Sequence, residues 1–188
     1  RLQPISDGAA LLLARSRLEN AKVLWEGQAR WDVVQAERAG AWAPHTPSGW
    51  LIHDTLTARL NPRKACAALV AAIKAEGGRI LPVDAEPEPE GKVVYATGYE
   101  GLLELSEVFE KPVGNGVKGQ ALLLDYAAIG KPQLFADALH IVPHSDGTVA
   151  VGSTSEREFD DPTGVDAQLD DIHARAIAAF PVLADAPV

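Results

Sequence analysis

Lys92 to Leu105 reads Lys-Val-Val-Tyr-Ala-Thr-Gly-Tyr-Glu-Gly-Leu-Leu-Glu-Leu, and no other stretch constrains the fold of this chain as much. A short β-branched run meets an Ala-Thr-Gly corner, and helix-forming residues follow. The pattern predicts a strand, a turn of small residues and then a helix. Small residues at such a corner bring backbone N–H groups to an open surface. Large anionic cofactors bind surfaces of that kind. The sequence lacks the other features such a cofactor needs, so the chain reads as part of a larger machine.

Its ends read the same way. The 188 residues begin at Arg1, contain no methionine and stop at Ala184-Asp-Ala-Pro-Val188. The expectation is a fragment of a longer protein; the alternative is a complete Met-poor domain with its initiator removed. The length suits one domain or one and a half. A net charge of −9 argues against nucleic acid and anionic lipid as partners. No apolar run reaches membrane-spanning length, and no secretory signal is visible. The single cysteine, Cys66, cannot form an internal disulfide. It lies in an apolar helical context and reads as a small buried residue, in keeping with a reducing cytoplasm.

The coarse organisation is α+β. Asp7 to Arg30 has helical spacing, with Ser6 or Asp7 as the N-cap. Trp31 to His45 looks strand-like and is broken at Gly40 and Pro44, and Trp50–His53 is a short strand. Asn61-Pro62 opens a helix with an apolar stripe at Ala65, Leu69, Ala72 and Ile73, and Gly77-Gly78 ends it. Arg79–Val83 reads as a strand. An acidic, proline-rich linker from Asp84 to Gly91 then leads to the Val-Val-Tyr-Ala-Thr-Gly strand. Gly119 to Tyr126 suits a buried strand. The segments 138–143 and 148–152 flank Asp146-Gly147 as a hairpin. Val165 to Phe180 closes as an amphipathic helix with Leu169, Ile172, Ala176 and Phe180 on one face.

Other chemical motifs have plainer explanations. Gly114-Asn-Gly-Val-Lys-Gly119 matches G-x-G-x-x-G in form, but the dinucleotide motif needs a strand before it and a helix after it. Here a strand-like segment follows, and a turn explains the glycines; a nicotinamide enzyme built on this motif is the weakest reading. His140 and His144 lie four apart on a strand, roughly 13 Å along it, too far for one zinc ion. Ser153-Thr-Ser155 lacks the G-x-S-x-G elbow. The acidic residues from Asp160 to Asp171 suit a helix start rather than a calcium loop.

Four stretches together resemble the FAD-dependent oxidoreductases of the D-amino acid oxidase and glycine oxidase superfamily. They are Leu60–Leu69 through Gly77-Gly-Arg-Ile80; Val93-Val-Tyr-Ala-Thr-Gly98; Val117-Lys-Gly-Gln120; and His140-Ile-Val-Pro143 with Asp146-Gly147 and Val151–Glu156. The hairpin with its glycine-led exit is the most specific. The four cover roughly positions 50 to 188. The family's N-terminal glycine fingerprint and its C-terminal Gly-x-Arg-Pro region do not occur in the chain. The resemblance implies an antiparallel or mixed substrate-domain sheet with flanking helices, and part of a discontinuous, Rossmann-like FAD-binding domain. Residues 1–59 and 107–188 would belong to the substrate domain, and 60–106 to the flavin domain.

It also implies a function. FAD would face the substrate sheet, a hydride would pass from the amine-bearing carbon to the flavin, and the imine would hydrolyse. The substrate would be an amine or amino acid, either a D-amino acid or one like glycine or sarcosine. The protein would be cytoplasmic, and a homo-oligomer is compatible with it. Ala96, Thr97 and Gly98 would give the cofactor close backbone approach. His140 would face substrate where several amino-acid oxidases carry a tyrosine. The fragment alone is expected to be inactive. The competing reading is a binding or assembly module that keeps the fold without flavin.

Overall fold

The computed structural model describes residues 1–83 and 91–188, so most of the acidic linker read between Asp84 and Gly91 lies outside the described residues. Its strands are β1 (Leu2–Pro4), β2 (Trp31–Gln35), β3 (Trp50–Asp54), β4 (Ala121–Asp125), β5 (Leu134–Ala136), β6 (Leu139–Pro143) and β7 (Thr148–Gly152). Its α-helices are α1 (Gly8–Leu24), α2 (Pro62–Ala75), α3 (Gly98–Val108) and α4 (Ala167–Ala179). The chain divides into two compact units. The first comprises Arg1–Asn61, Gly119–Thr154 and Thr163–Val188; the second comprises Pro62–Lys118 and Ser155–Pro162.

The first unit is built on one seven-stranded mixed sheet in the order β2-β3-β1-β5-β6-β7-β4. The β1–β5 pair is parallel and the other pairs are antiparallel. The β6–β7 hairpin follows from its sequence. Leu139, Ile141 and Pro143 alternate with His140 and Val142, and Val149 and Val151 alternate with Thr148, Ala150 and Gly152. Gly147 takes φ +90° in the turn, and the His144 N–H donates to the Thr148 carbonyl at 2.8 Å. That backbone angle is open to glycine and strained for other residues. Two strands, β1 and β5, have no counterpart in the sequence reading. Each has three residues, too few for a period of two to show.

One face of the sheet is closed by α4. Leu2, Leu51, Leu122, Leu124, Leu134, Ile141, Val149 and Val151 form a continuous core with Ile172, Ala176 and Phe180. Trp42 meets Phe180 edge to face, with centroids 4.7 Å apart, and its indole N–H donates to the Pro132 carbonyl at 2.8 Å. The strand expected from Trp31 to His45 ends at Gln35. Residues 36–42 form two short 3₁₀ turns that meet at a kink at Gly40, φ 58°, and this kinked segment lets Trp42 enter the core. Asp166 caps α4 by accepting from the Gln168 N–H, and the buried Gln120 amide donates to Asp166 and accepts from its backbone N–H. The carboxylates read near this helix start thus include its cap.

The opposite face is covered only in part. Ile5, Ala14 and Ile52 form a small second core beneath α1, with Trp31, Val33 and Trp50 against it. Helix α1 is capped as its sequence indicates: the Asp7 side chain accepts from the Ala10 N–H at 2.8 Å. At the end of β3 the buried Asp54 accepts from Arg1 Nε at 2.9 Å, from the Thr57 N–H at 2.9 Å and from the Thr57 hydroxyl. Burial pushes this carboxyl up, but the Thr57 hydrogen bonds and the charge of Arg1 outweigh it, so the group lies below its ordinary value.

The second unit departs furthest from the sequence reading. Helix α2 ends as expected: the Gly78 N–H donates to the Ile73 carbonyl and the Gly77 N–H to the Lys74 carbonyl, with Gly77 at φ 82°. Yet no residue of α2 is buried, and Leu69 and Ile73 are 64% and 46% exposed. Cys66 is exposed, not buried as its apolar neighbours indicated. Arg79–Val83 and Val93–Thr97 are not strands. A strand exists only by hydrogen bonding to a neighbour, and among the described residues these segments have none. Val94 and Tyr95 are accordingly 85% and 73% exposed.

Two outcomes test this account of the first unit. Phe180→Ala should cost about 3–5 kcal/mol in denaturant unfolding, because the ring is fully buried against Trp42. Asp54 contributes stability that is complete above the ordinary carboxylate value of about 3.9 and is lost as pH falls through its lower folded value. Asp54→Asn should therefore destabilise the chain by roughly 1–3 kcal/mol at neutral pH and flatten the loss of stability below about pH 4.

Candidate functional site

Two surfaces are candidates, one in each unit, and each stands by itself. In the first unit, strand register sets a row of side chains across four strands on the face opposite α4. Phe135 pairs with His140, His140 with Gly152, and Gly152 with Ala121. The next row is Val142, Ala150 and Leu123. The patch is a low floor of small and apolar groups, and His140 is the titratable side chain among these seven residues. His140 is exposed, and its ring lies 4.7 Å from that of Phe135, tilted by 44°. A Cβ on Gly152 would come within 2.9 Å of the Ala121 Cβ, so the glycine keeps the floor low beside the imidazole.

The row continues toward β3 through charged groups. The Arg1 guanidinium lies 5.7 Å from the Phe135 centroid and is held by Asp54. Asp54, Arg1, Phe135 and His140 thus form one connected series. Of these four, the sequence singled out His140. Phe135 escaped because β5 is too short to read, and the Arg1–Asp54 pair joins residues 53 positions apart.

In the second unit, Ala96, Thr97 and Gly98 are all exposed, and α3 begins at Gly98. Gly98 has φ 68°, a conformation that favours glycine. A Cβ on Gly101 would overlap the Thr97 side chain, so Gly101 makes the space in which Thr97 sits over the first helical turn. The corner therefore presents bare backbone and one hydroxyl. Glu100 stands in that same turn. Its charge opposes an anion at the helix start. Partial burial, then hydrogen bonding to Glu100, raises the neighbouring Tyr99 phenol.

The remaining motifs fall outside this arrangement. Strand β4, not a helix, follows Gly114–Gly119, and Gly114 and Gly116 pack closely on Leu102 and Tyr99. His144 is buried, with Nδ1 3.3 Å from the Thr148 hydroxyl. Among the described residues no group of three His, Cys, Asp or Glu side chains could hold a metal ion, and no helix is long and apolar enough to cross a membrane.

Comparison with known proteins bears on this geometry. The chain superposes on a glycine oxidase from Bacillus cereus ATCC 14579 with a TM-score of 0.70 and 16% identity, covering 99% of this chain and 56% of that one. It superposes on an iminodiacetate oxidase from Chelativorans sp. BNC1 with a TM-score of 0.75 and 21% identity, covering 98% of this chain and 56% of that one. At these identities the likeness is one of fold, and the chain spans little more than half the length of either. No curated protein matches it. A family model described as FAD dependent oxidoreductase, DAO, matches residues 7–188. This chain belongs to the DAO family of FAD-dependent oxidoreductases.

Proposed function

We propose that the protein containing this chain oxidises an amine or amino acid, with the open face of the first unit's sheet as the substrate-facing surface. The observation that carries this reading is the row Phe135–His140–Gly152–Ala121, which presents one imidazole on a low apolar floor within a flavoenzyme fold. FAD, when bound, supplies the hydride acceptor. The chain's own residues bind, orient and exclude water. Phe135 and Val142 offer apolar contact, and His140 offers one hydrogen bond. The fixed Phe135 ring limits the orientations of the imidazole. Arg1 is committed to Asp54, so a substrate carboxylate needs a cation other than this one.

Residues 60–106 are proposed to be part of the flavin-binding domain. Ala96, Thr97 and Gly98 fit an uncharged edge of the cofactor, since all three are exposed and Gly101 accommodates the Thr97 side chain. The exposed apolar residues of α2 and the unpaired segments around Ile80 and Val94 support this assignment, because they are what a sheet domain needs further strands to cover. The fold likenesses to a glycine oxidase and an iminodiacetate oxidase support an amine substrate of small size.

The test is to purify the complete protein that carries this sequence and record its flavin absorption bands. A yellow protein whose bands bleach anaerobically with a small amino acid or secondary amine is the expected outcome. A colourless protein that takes up no added FAD would favour the non-catalytic module instead. In the active protein, His140→Ala should raise KM roughly tenfold or more with a smaller change in kcat, as loss of a binding contact does. An unchanged KM would remove His140 from the substrate surface.

A further inference from the structure

A second cleft lies at the tip of the β6–β7 hairpin, away from the row of residues assigned to substrate. It has a volume of about 200 Å³ and is lined by Arg59, Leu60, Asn61, Ile129, Pro143 and His144, among others. We propose that it binds a small organic carboxylate with an aliphatic body. This inference does not rest on the flavoenzyme reading.

The walls of the cleft are fixed before any ligand arrives. The Asp146 carboxylate accepts from Asn61 Nδ2 at 2.9 Å and from the Thr148 hydroxyl at 2.7 Å, which ties the hairpin turn to the segment carrying Arg59. On the other side Arg59 donates one N–H to the Lys131 carbonyl, and Lys131 is itself held in a turn by its N–H bond to the Ala128 carbonyl at 3.1 Å. A guanidinium has five N–H donors. Anchoring through one leaves Arg59 oriented, with other donors available. His144 is buried and lines the same cleft; the Thr148 hydroxyl donates to Asp146, so its oxygen accepts from His144 Nδ1–H at 3.3 Å.

Charge and shape together select the ligand. Arg59 gives the cleft a cation in a chain of net charge −9, while the nearby Asp146 carboxylate accepts from Asn61 and Thr148. A guanidinium prefers a carboxylate that it can bind through two parallel hydrogen bonds. The lip is apolar: Leu60 and Ile129 are 64% and 65% exposed, and Pro143 is buried. Water occupies about 30 Å³ per molecule in the liquid, so the cleft has room for several aliphatic carbons beyond the carboxylate. A bare inorganic oxyanion would leave Leu60 and Ile129 in water. A short branched carboxylate would cover them.

The experiment follows the His144 ring and Arg59 side-chain resonances by NMR in the 188-residue chain without FAD, at constant ionic strength, during titration with isovalerate or with inorganic phosphate. Isovalerate should give saturable shifts at both residues, with an affinity at least several-fold above that of phosphate. Arg59→Ala should weaken isovalerate roughly tenfold. Ile129→Ser should weaken isovalerate several-fold and leave phosphate unchanged. Both side chains are exposed, and unchanged β6–β7 amide spectra establish that each variant is folded. Absence of saturable shifts, phosphate binding as tight as isovalerate, or full affinity in folded Arg59→Ala would each overturn the proposal. Because FAD is absent, none of these results depends on whether the complete protein is an oxidase.

Discussion

The first unit depends on a single asymmetry: one face of its sheet is sealed by α4 and the other is sealed only at one end. Phe180, Ile172 and Ala176 press on the inward residues of β4, β6 and β7, with Trp42 filling the corner. Helix α1 covers the β2–β3 end of the opposite face through Ala14 on Ile52. The remaining strands, β5, β6, β7 and β4, leave that face open. An open apolar floor carries a free-energy cost of roughly 25 cal/mol per Å² of exposed apolar area.

Electrostatics anchors the margin of this floor. Asp54 collects Arg1 and both donors of Thr57 at the end of β3, which satisfies a carboxylate that burial alone would disfavour. Arg1 then spans from Asp54 to Phe135, and Phe135 fixes His140. The imidazole stands at the end of a series of contacts, Asp54 to Arg1 to Phe135 to His140, that reaches back to the end of β3.

The second unit has the opposite character. Its helices are well formed locally, with a two-bond glycine stop on α2 and a capped turn at Phe109 on α3, yet Gly101 is the one buried position in either helix. Secondary structure made of i to i−4 bonds needs no neighbour, whereas strands do. That difference explains why the helical half of this unit matches its sequence pattern while Arg79–Val83 and Val93–Thr97 remain unpaired.

What the sequence determined by itself is therefore local. The cap at Asp7, the Pro62 start and Gly77-Gly78 stop, the β6–β7 alternation around Asp146-Gly147, and the face of α4 bearing Ile172, Ala176 and Phe180 all follow from interactions within a few residues. The combination of motifs also sufficed to indicate the family, because their order along the chain is specific even where each is weak. Tertiary structure decided the rest: that three-residue segments at Leu2 and Leu134 become central strands, that Cys66 is exposed, and that Asp54, Arg1, Phe135 and His140 line up. The strand at Leu2 and the contacts of Arg1 with Asp54 and Phe135 depend on partners tens of residues away, and a pairing at that distance leaves no periodic trace in the residues that make it.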